Sequence, residues 1–230
     1  MQYIDGIAIL DEDDDFPDPR SGPADEPTAV GLILNAELML RAYRKGLFAW
    51  TSEPVTWWSP DPRAIIKLDE LHVSKRLARK IRQAPFIVTA DQAFVDVLYG
   101  CGAPREEENE TWITDEFVDC FGELFQKGYA HSVECWKGNT LVGGVFGVAI
   151  GGFFSAESMF HKVTDASKIA LYYLVESLKH SGFTLLDIQV LTPHTESLGG
   201  ILIPRTYYLR RLKEAIKLNT LPFNKQILHA

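Results

Sequence analysis

The spacing of apolar positions predicts mainly helices, with one short strand, before Ala130 and a change to strand period from there. Asn35 is a good N-cap and Gly46 a good helix stop, so a helix is expected between them. A second helix follows Ser74 and ends before Pro85, a short strand covers 86–90, and Asp91 is expected to cap a helix to about Gly100. From Thr114 to Gly128 the period is plainly helical, with Phe117, Val118, Phe121, Leu124 and Phe125 on one face. Beyond Ala130 the period falls to two. HSVECWK and NTLVGGVFGVAI, joined at Lys137-Gly138-Asn139, predict a β-hairpin, and GGFFSAES a third strand beside it. A helix over 165–181, a buried strand over 183–191 and a last helix over about 206–217 complete the pattern. Residues 11–27, rich in Asp and Pro, read as an irregular surface arm. The order of elements predicts an α+β protein, with a small N-terminal unit over 1–63 and a larger sheet domain over 64–230.

Two places break the apolar pattern. In GGFFSAESMF, residues 151–160, Glu157 stands alone in an apolar run. A buried carboxylate must be partnered, protonated or turned toward a wet cleft, since isolating it costs several kcal/mol. The plain alternative is an outward-facing residue on a half-buried strand. In LLDIQVL, Asp187 and Gln189 sit two apart, which on a regular strand puts them on one face, with Asp187 able to fix the Gln189 amide. A strand end facing water would read the same way.

Composition narrows the setting. With 46% hydrophobic residues in 230, the chain can bury a sizeable core, and no apolar run reaches the roughly 18 residues of a membrane span. The acidic N-terminus does not read as a signal peptide, and three cysteines without C-x-x-C spacing fit reduced cytosolic thiols. The formal charge of −8 argues against a nucleic-acid partner, yet Lys75, Arg76, Arg79, Lys80 and Arg82 lie together without an acid among them. Such a stripe fits a phosphate backbone or a merely solvated helix face.

The chain contains no P-loop, dinucleotide fingerprint, G-x-S-x-G elbow or H-E-x-x-H motif, and its histidines lack metal-ligand spacing. No metal or cofactor is expected. The inventory suits a reaction needing no strong base, such as aminolysis of an activated ester by an α-amino group, which titrates near pH 7.7–8.

In order, WWSPDPR, TWIT, HSVECW, LVGGVFGVAIGG, ESMF, DASK, LDIQ, SLGG and IPR span residues 57–205. This series resembles leucyl/phenylalanyl-tRNA–protein transferases, the resemblance running from about Phe16 to Leu212. It implies a C-terminal domain like that of the GCN5-related acetyltransferases. It also implies transfer of Leu or Phe from aminoacyl-tRNA onto proteins with N-terminal Arg or Lys, which marks them for N-degron proteolysis in the cytosol, by an enzyme expected to be monomeric. Carried over by motif, Glu157, Asp187 and Gln189 become the catalytic set. Trp50, Trp112, Val145, Phe154, Leu174 and Leu178 become the pocket for the Leu or Phe side chain. Lys75, Arg76, Arg79, Lys80 and Arg82 become the tRNA contacts. The sequence departs from the family where GLLAIGGDLS reads VGLILN, FPW reads FAW and GESMF reads AESMF; leucines stand at pocket positions that are often Phe, which opens the pocket to Met. Two rival readings are an acetyl-coenzyme A enzyme, which lacks its pyrophosphate-binding turn here, and a non-catalytic tRNA-binding protein, which would not need the three polar residues.

Overall fold

The computed structural model describes residues 1–11, 14–103, 111–221 and 223. Two residues of the DEDDD arm and most of the acidic loop after Ala103 lie outside it. A first sheet is made of β1 (Gln2–Ile4), β2 (Ile7–Leu10), β3 (Ala29–Gly31), β4 (Phe48–Ser52) and β5 (Val55–Trp58), in the order β1-β2-β3-β5-β4, with α1 (Ala36–Lys45) inserted before β4. A second sheet uses β6 (Arg63–Ile66), β7 (Ile87–Ala90), β8 (Ala130–Lys137), β9 (Thr140–Ile150), β10 (Phe153–His161), β11 (Leu185–Gln189) and β12 (Gly200–Ile203). Its order is β12-β6-β11-β10-β9-β8-β7. The intervening helices are α2 (Lys75–Arg82), α3 (Phe94–Gly102), α4 (Asp115–Gln126), α5 (Ala166–Ser181), the single turn α6 (Pro193–Glu196) and α7 (Arg205–Ala215). The protein is therefore a mixed α+β fold with two sheets.

The second sheet is buried on both faces, which explains why its central strands read as nearly continuous apolar runs. Phe94, Phe117, Phe121 and Phe146 pack on one face with the first sheet and α1. Leu77, Ile169, Leu174 and Leu178 pack on the other, under α2 and α5. The first core runs unbroken from Leu10 and Trp57 to Phe117 and Leu212, so both sheets share one interior. Arg205 fastens the last helix to the N-terminal segment: its guanidinium donates to the carbonyls of Ser59 (2.6 Å), Gly22 (2.8 Å) and Pro23 (2.9 Å).

Several expectations are met in detail. Asn35 caps α1 through Leu38 N–H (2.9 Å), and Gly46 ends that helix at φ 86°. The 130–150 hairpin and its third strand form as expected. Others are corrected. The described residues of the 11–27 arm are irregular and mostly exposed, as expected, but anchored: Phe16 is buried edge-on against Trp57, with centroids 4.7 Å apart, and Asp15 binds Lys45 and Arg41. Asp91 does not cap α3. It turns at φ 56° and spends its carboxylate on Ser132 N–H (2.9 Å) and His131 Nδ1 (2.8 Å), two residues whose strand position is decided by tertiary pairing. Thr114 stands before α4, but its hydroxyl goes to Glu116 rather than to the helix backbone.

Candidate active site

β10 and β11 are the parallel pair of the large sheet, and they pair only from Phe153–Ser155 to Leu185–Asp187. Beyond that point β10 stays with β9 and β11 with β6, so the two strands part. The cleft opens there, about 1000 Å³ in volume.

Both strands carry an irregularity at the parting. β10 shifts register against β9 between Ala156 and Ser158, leaving Glu157 as the extra residue. The bulge reverses the parity of the strand: Phe153 and Phe160, seven apart, enter one core, while Phe154 and Met159 enter the other. β11 shifts against β6 between Asp187 and Gln189, and Gln189 takes φ 62°, a left-handed conformation unusual for a long side chain. Bulges of this kind re-aim side chains and gather at functional sites.

The re-aimed side chains meet. Gln189 Nε2 donates to Glu157 Oε2 at 2.8 Å and lies 3.3 Å from Ser155 Oγ. Among the described residues, nothing donates to the side-chain carbonyl of Gln189, which lines the cleft. Burial raises the Glu157 pKa to about 7, with the Ser155 hydroxyl, the Gln189 amide and the Tyr43 hydroxyl holding it below where burial alone would take it. Its Oε1 is enclosed and meets no donor at hydrogen-bonding geometry. An enclosed oxygen of this kind suits a carboxyl that readily keeps a proton.

Asp187 lies behind this pair, not in the cleft. It is fully buried and accepts Arg63 Nε (2.9 Å) and Nη2 (2.6 Å), Tyr208 Oη (2.8 Å) and the backbone N–H of Gln189 (2.9 Å). Asp187 and Gln189 both turn toward the side of Ser155 and Glu157, Asp187 at the buried depth of Tyr208 and Gln189 at the cleft. Asp187 fixes the Gln189 backbone rather than its side-chain amide. Burial disfavours the Arg63 charge, but the Asp187 carboxylate more than offsets it and raises the guanidinium pKa. Arg63 lies between the rings of Phe48 (4.7 Å) and Tyr208 (4.5 Å) and reaches Gly46 O at 3.3 Å. Reading the sequence alone missed Arg63, Tyr43 and Tyr208 as parts of the site. The one available signal was an arginine closing the otherwise apolar and turn-forming WWSPDPR.

Of the expected pocket residues, Trp50, Trp112 and Val145 line the cleft. Phe154, Leu174 and Leu178 do not; each is at most 1% exposed, in the same core cluster as the lining Val145 and Leu171. For the two leucines the reason is helix geometry: α5 presents Leu171 to the cleft one turn before it buries Leu174. Met159 and Ile188 complete the apolar wall.

The basic helix splits into two stripes. Arg76 (3.2 Å) and Lys80 (3.0 Å), one turn apart, are paired with the buried Asp165. Lys75, Arg79 and Arg82 are exposed and have no acidic partner among the described residues. Among the described residues no cluster of His, Cys, Asp and Glu could hold a metal ion, and no helix is long and apolar enough to cross a membrane.

The family profiles and the most similar sequence relatives point to one group. The family profile described as "Leucyl/phenylalanyl-tRNA protein transferase" matches residues 65–213, and the profile of that family's N-terminal domain matches 33–61. A protein of that name from Pseudoalteromonas atlantica is 45% identical over 90% of this chain and 91% of its own. One from Thiobacillus denitrificans is 46% identical over 84% of this chain and 86% of its own. Among solved structures, L-PGS from Bacillus licheniformis matches at 13% identity and a TM-score of 0.42, covering 83% of this chain and 73% of that one, too loose a likeness to assign a fold. A profile covering most of the chain, with relatives of this identity along nearly their whole length, makes the chain a member of the leucyl/phenylalanyl-tRNA–protein transferase family.

Proposed function

We propose that the protein transfers Leu or Phe from aminoacyl-tRNA to the α-amino group of proteins that begin with Arg or Lys. The observation that carries this reading is the Gln189–Glu157 pair at the parting of β10 and β11, on the lining of the cleft, with no donor to the Gln189 amide oxygen among the described residues. The parting of a parallel pair also supports kinship of the large sheet with the GCN5-related acetyltransferases.

In the reaction the amine nitrogen attacks the ester carbonyl, a C–N bond forms, the C–O bond to the terminal ribose breaks, and one proton passes from nitrogen to the ribose oxygen. Gln189 Oε1 accepts an N–H of the attacking amine and orients it. Glu157, hydrogen-bonded through the Gln189 amide, stabilises the positive charge that grows on the nitrogen. Asp187 and Arg63 hold the Gln189 backbone in its left-handed turn. Trp50, Trp112, Val145, Leu171 and Met159 bind apolar parts of the donor and exclude water from the ester, and Phe154, Leu174 and Leu178 support that wall from behind.

The test uses Phe-tRNA and Leu-tRNA labelled on the amino acid, with matched peptides beginning with Arg, Lys or Met. Label on the Arg and Lys peptides alone is the expected result. Acylated tRNA that binds without transferring would make this a tRNA-binding protein. The free stripe of α2 supplies the phosphate contacts: Arg79→Glu is expected to weaken tRNA binding and to lower the slope of log K against log salt by about one, without changing the melting temperature. An unchanged slope would remove α2 from the tRNA path.

A further inference from the structure

We infer that Lys162 is a phosphate contact for the 3′ end of the donor, standing between the cleft and the basic helix. This rests on the reading above. Lys162 is the one lysine or arginine among the residues lining the cleft, and it is exposed, with no acidic partner among the described residues.

Its backbone is tied down. Lys162 N–H donates to Val142 O at 2.7 Å, and Val163 N–H reaches the same carbonyl at 3.3 Å. The turn that follows is strapped to α2: Lys80 Nζ donates to Thr164 O at 2.7 Å, and Asp165 pairs with both Lys80 and Arg76. Asp165 sits at φ 72° and does not cap α5, so its side chain serves this strap rather than the helix it precedes. The burial cost of its charge is outweighed by Lys80 and Arg76, which hold its carboxyl below the usual range.

Lys162 thus stands at the cleft, two and three residues before the Thr164 and Asp165 that are strapped to α2, whose Lys75, Arg79 and Arg82 face solvent on the outer stripe. An ester carbonyl held at Glu157 and Gln189 puts the terminal nucleoside within the cleft, and the next phosphate must then leave through its mouth. Lys162 is the strong cation there, on a rigid turn, and an ammonium–phosphate hydrogen bond is among the stronger polar contacts.

The experiment compares three donors: phenylalanyl-adenosine, which has no phosphate; the phenylalanyl ester of the dinucleotide CpA, which has one; and Phe-tRNA. For Lys162→Gln the ratio of kcat/KM for the dinucleotide over the nucleoside donor is expected to fall about tenfold, roughly one charge-assisted hydrogen bond. Lys162→Arg should restore most of it. Because the ratio cancels any general loss of active protein, a structural role would not move it. An unchanged ratio overturns the inference. Wild-type protein that transfers from none of the three donors would overturn the functional reading itself, and this inference with it.

Discussion

Glu157→Gln is expected to lower the transfer rate about 100-fold or more while making the folded protein more stable at pH 8. The first effect follows from removing the one charge that faces the growing ammonium through Gln189, a loss of preorganised electrostatics of about 10²–10³ in rate. The second follows from linkage. Burial raises the folded pKa of Glu157 to about 7 from an ordinary value of 4.5, so between those values the folded state binds the proton more tightly than the unfolded chain. Its contribution to stability is therefore full below about pH 4.5 and is lost as the pH rises through 7. Glutamine has no proton to lose and escapes that penalty. The wild-type rate should climb from pH 6 to 8 as Glu157 and the acceptor amine both deprotonate; the variant should keep only the amine limb, nearer pH 8. Rate profiles with matched peptides, beside thermal melts at pH 5 and pH 8, check both effects. A variant that is slow and also less stable at pH 8 would make Glu157 a structural acid.

The second large effect lies behind the cleft. Asp187→Ala leaves the fully buried Arg63 guanidinium without its carboxylate and strips Tyr208 and the Gln189 backbone of their acceptor. Removing one partner of a buried pair costs about 3–5 kcal/mol, a large part of the stability of a domain this size. Denaturant unfolding should show that loss. Replacing both partners with apolar residues, Arg63→Met with Asp187→Leu, should recover much of the stability, because no orphaned charge remains. It should not recover transfer, because Gln189 loses the anchor of its left-handed turn. Recovery of both would mean that Asp187 serves the fold alone.

The strap on α2 bears on the basic helix as a whole. Counting cations in sequence gives five equivalent candidates, but Asp165 divides them: Arg76 and Lys80 fix the helix to the cleft rim, and Lys75, Arg79 and Arg82 stay open to solvent. Substitutions at the first pair should disturb position, and those at the second should disturb charge.

What the sequence determined by itself were the features that depend on neighbours in the chain. The Asn35 cap and Gly46 stop, the period of α4 and the turn at Gly138 are local, and each appears in the structure as read. So is the oddity of one acid in GGFFSAESMF, which marked Glu157 before any geometry was known. The tertiary structure alone decided where that acid points. A strand's alternation fixes side-chain direction only while its register holds, and register shifts at Glu157 and between Asp187 and Gln189 interrupt it on adjacent strands. The partner of Asp187 is Arg63, 124 residues away, and that of Asp165 is a helix 85 and 89 residues away. Nothing local selects such pairs: the first forms in the core that the two sheets share, the second where α2 packs beside α5 on the other face of the large sheet.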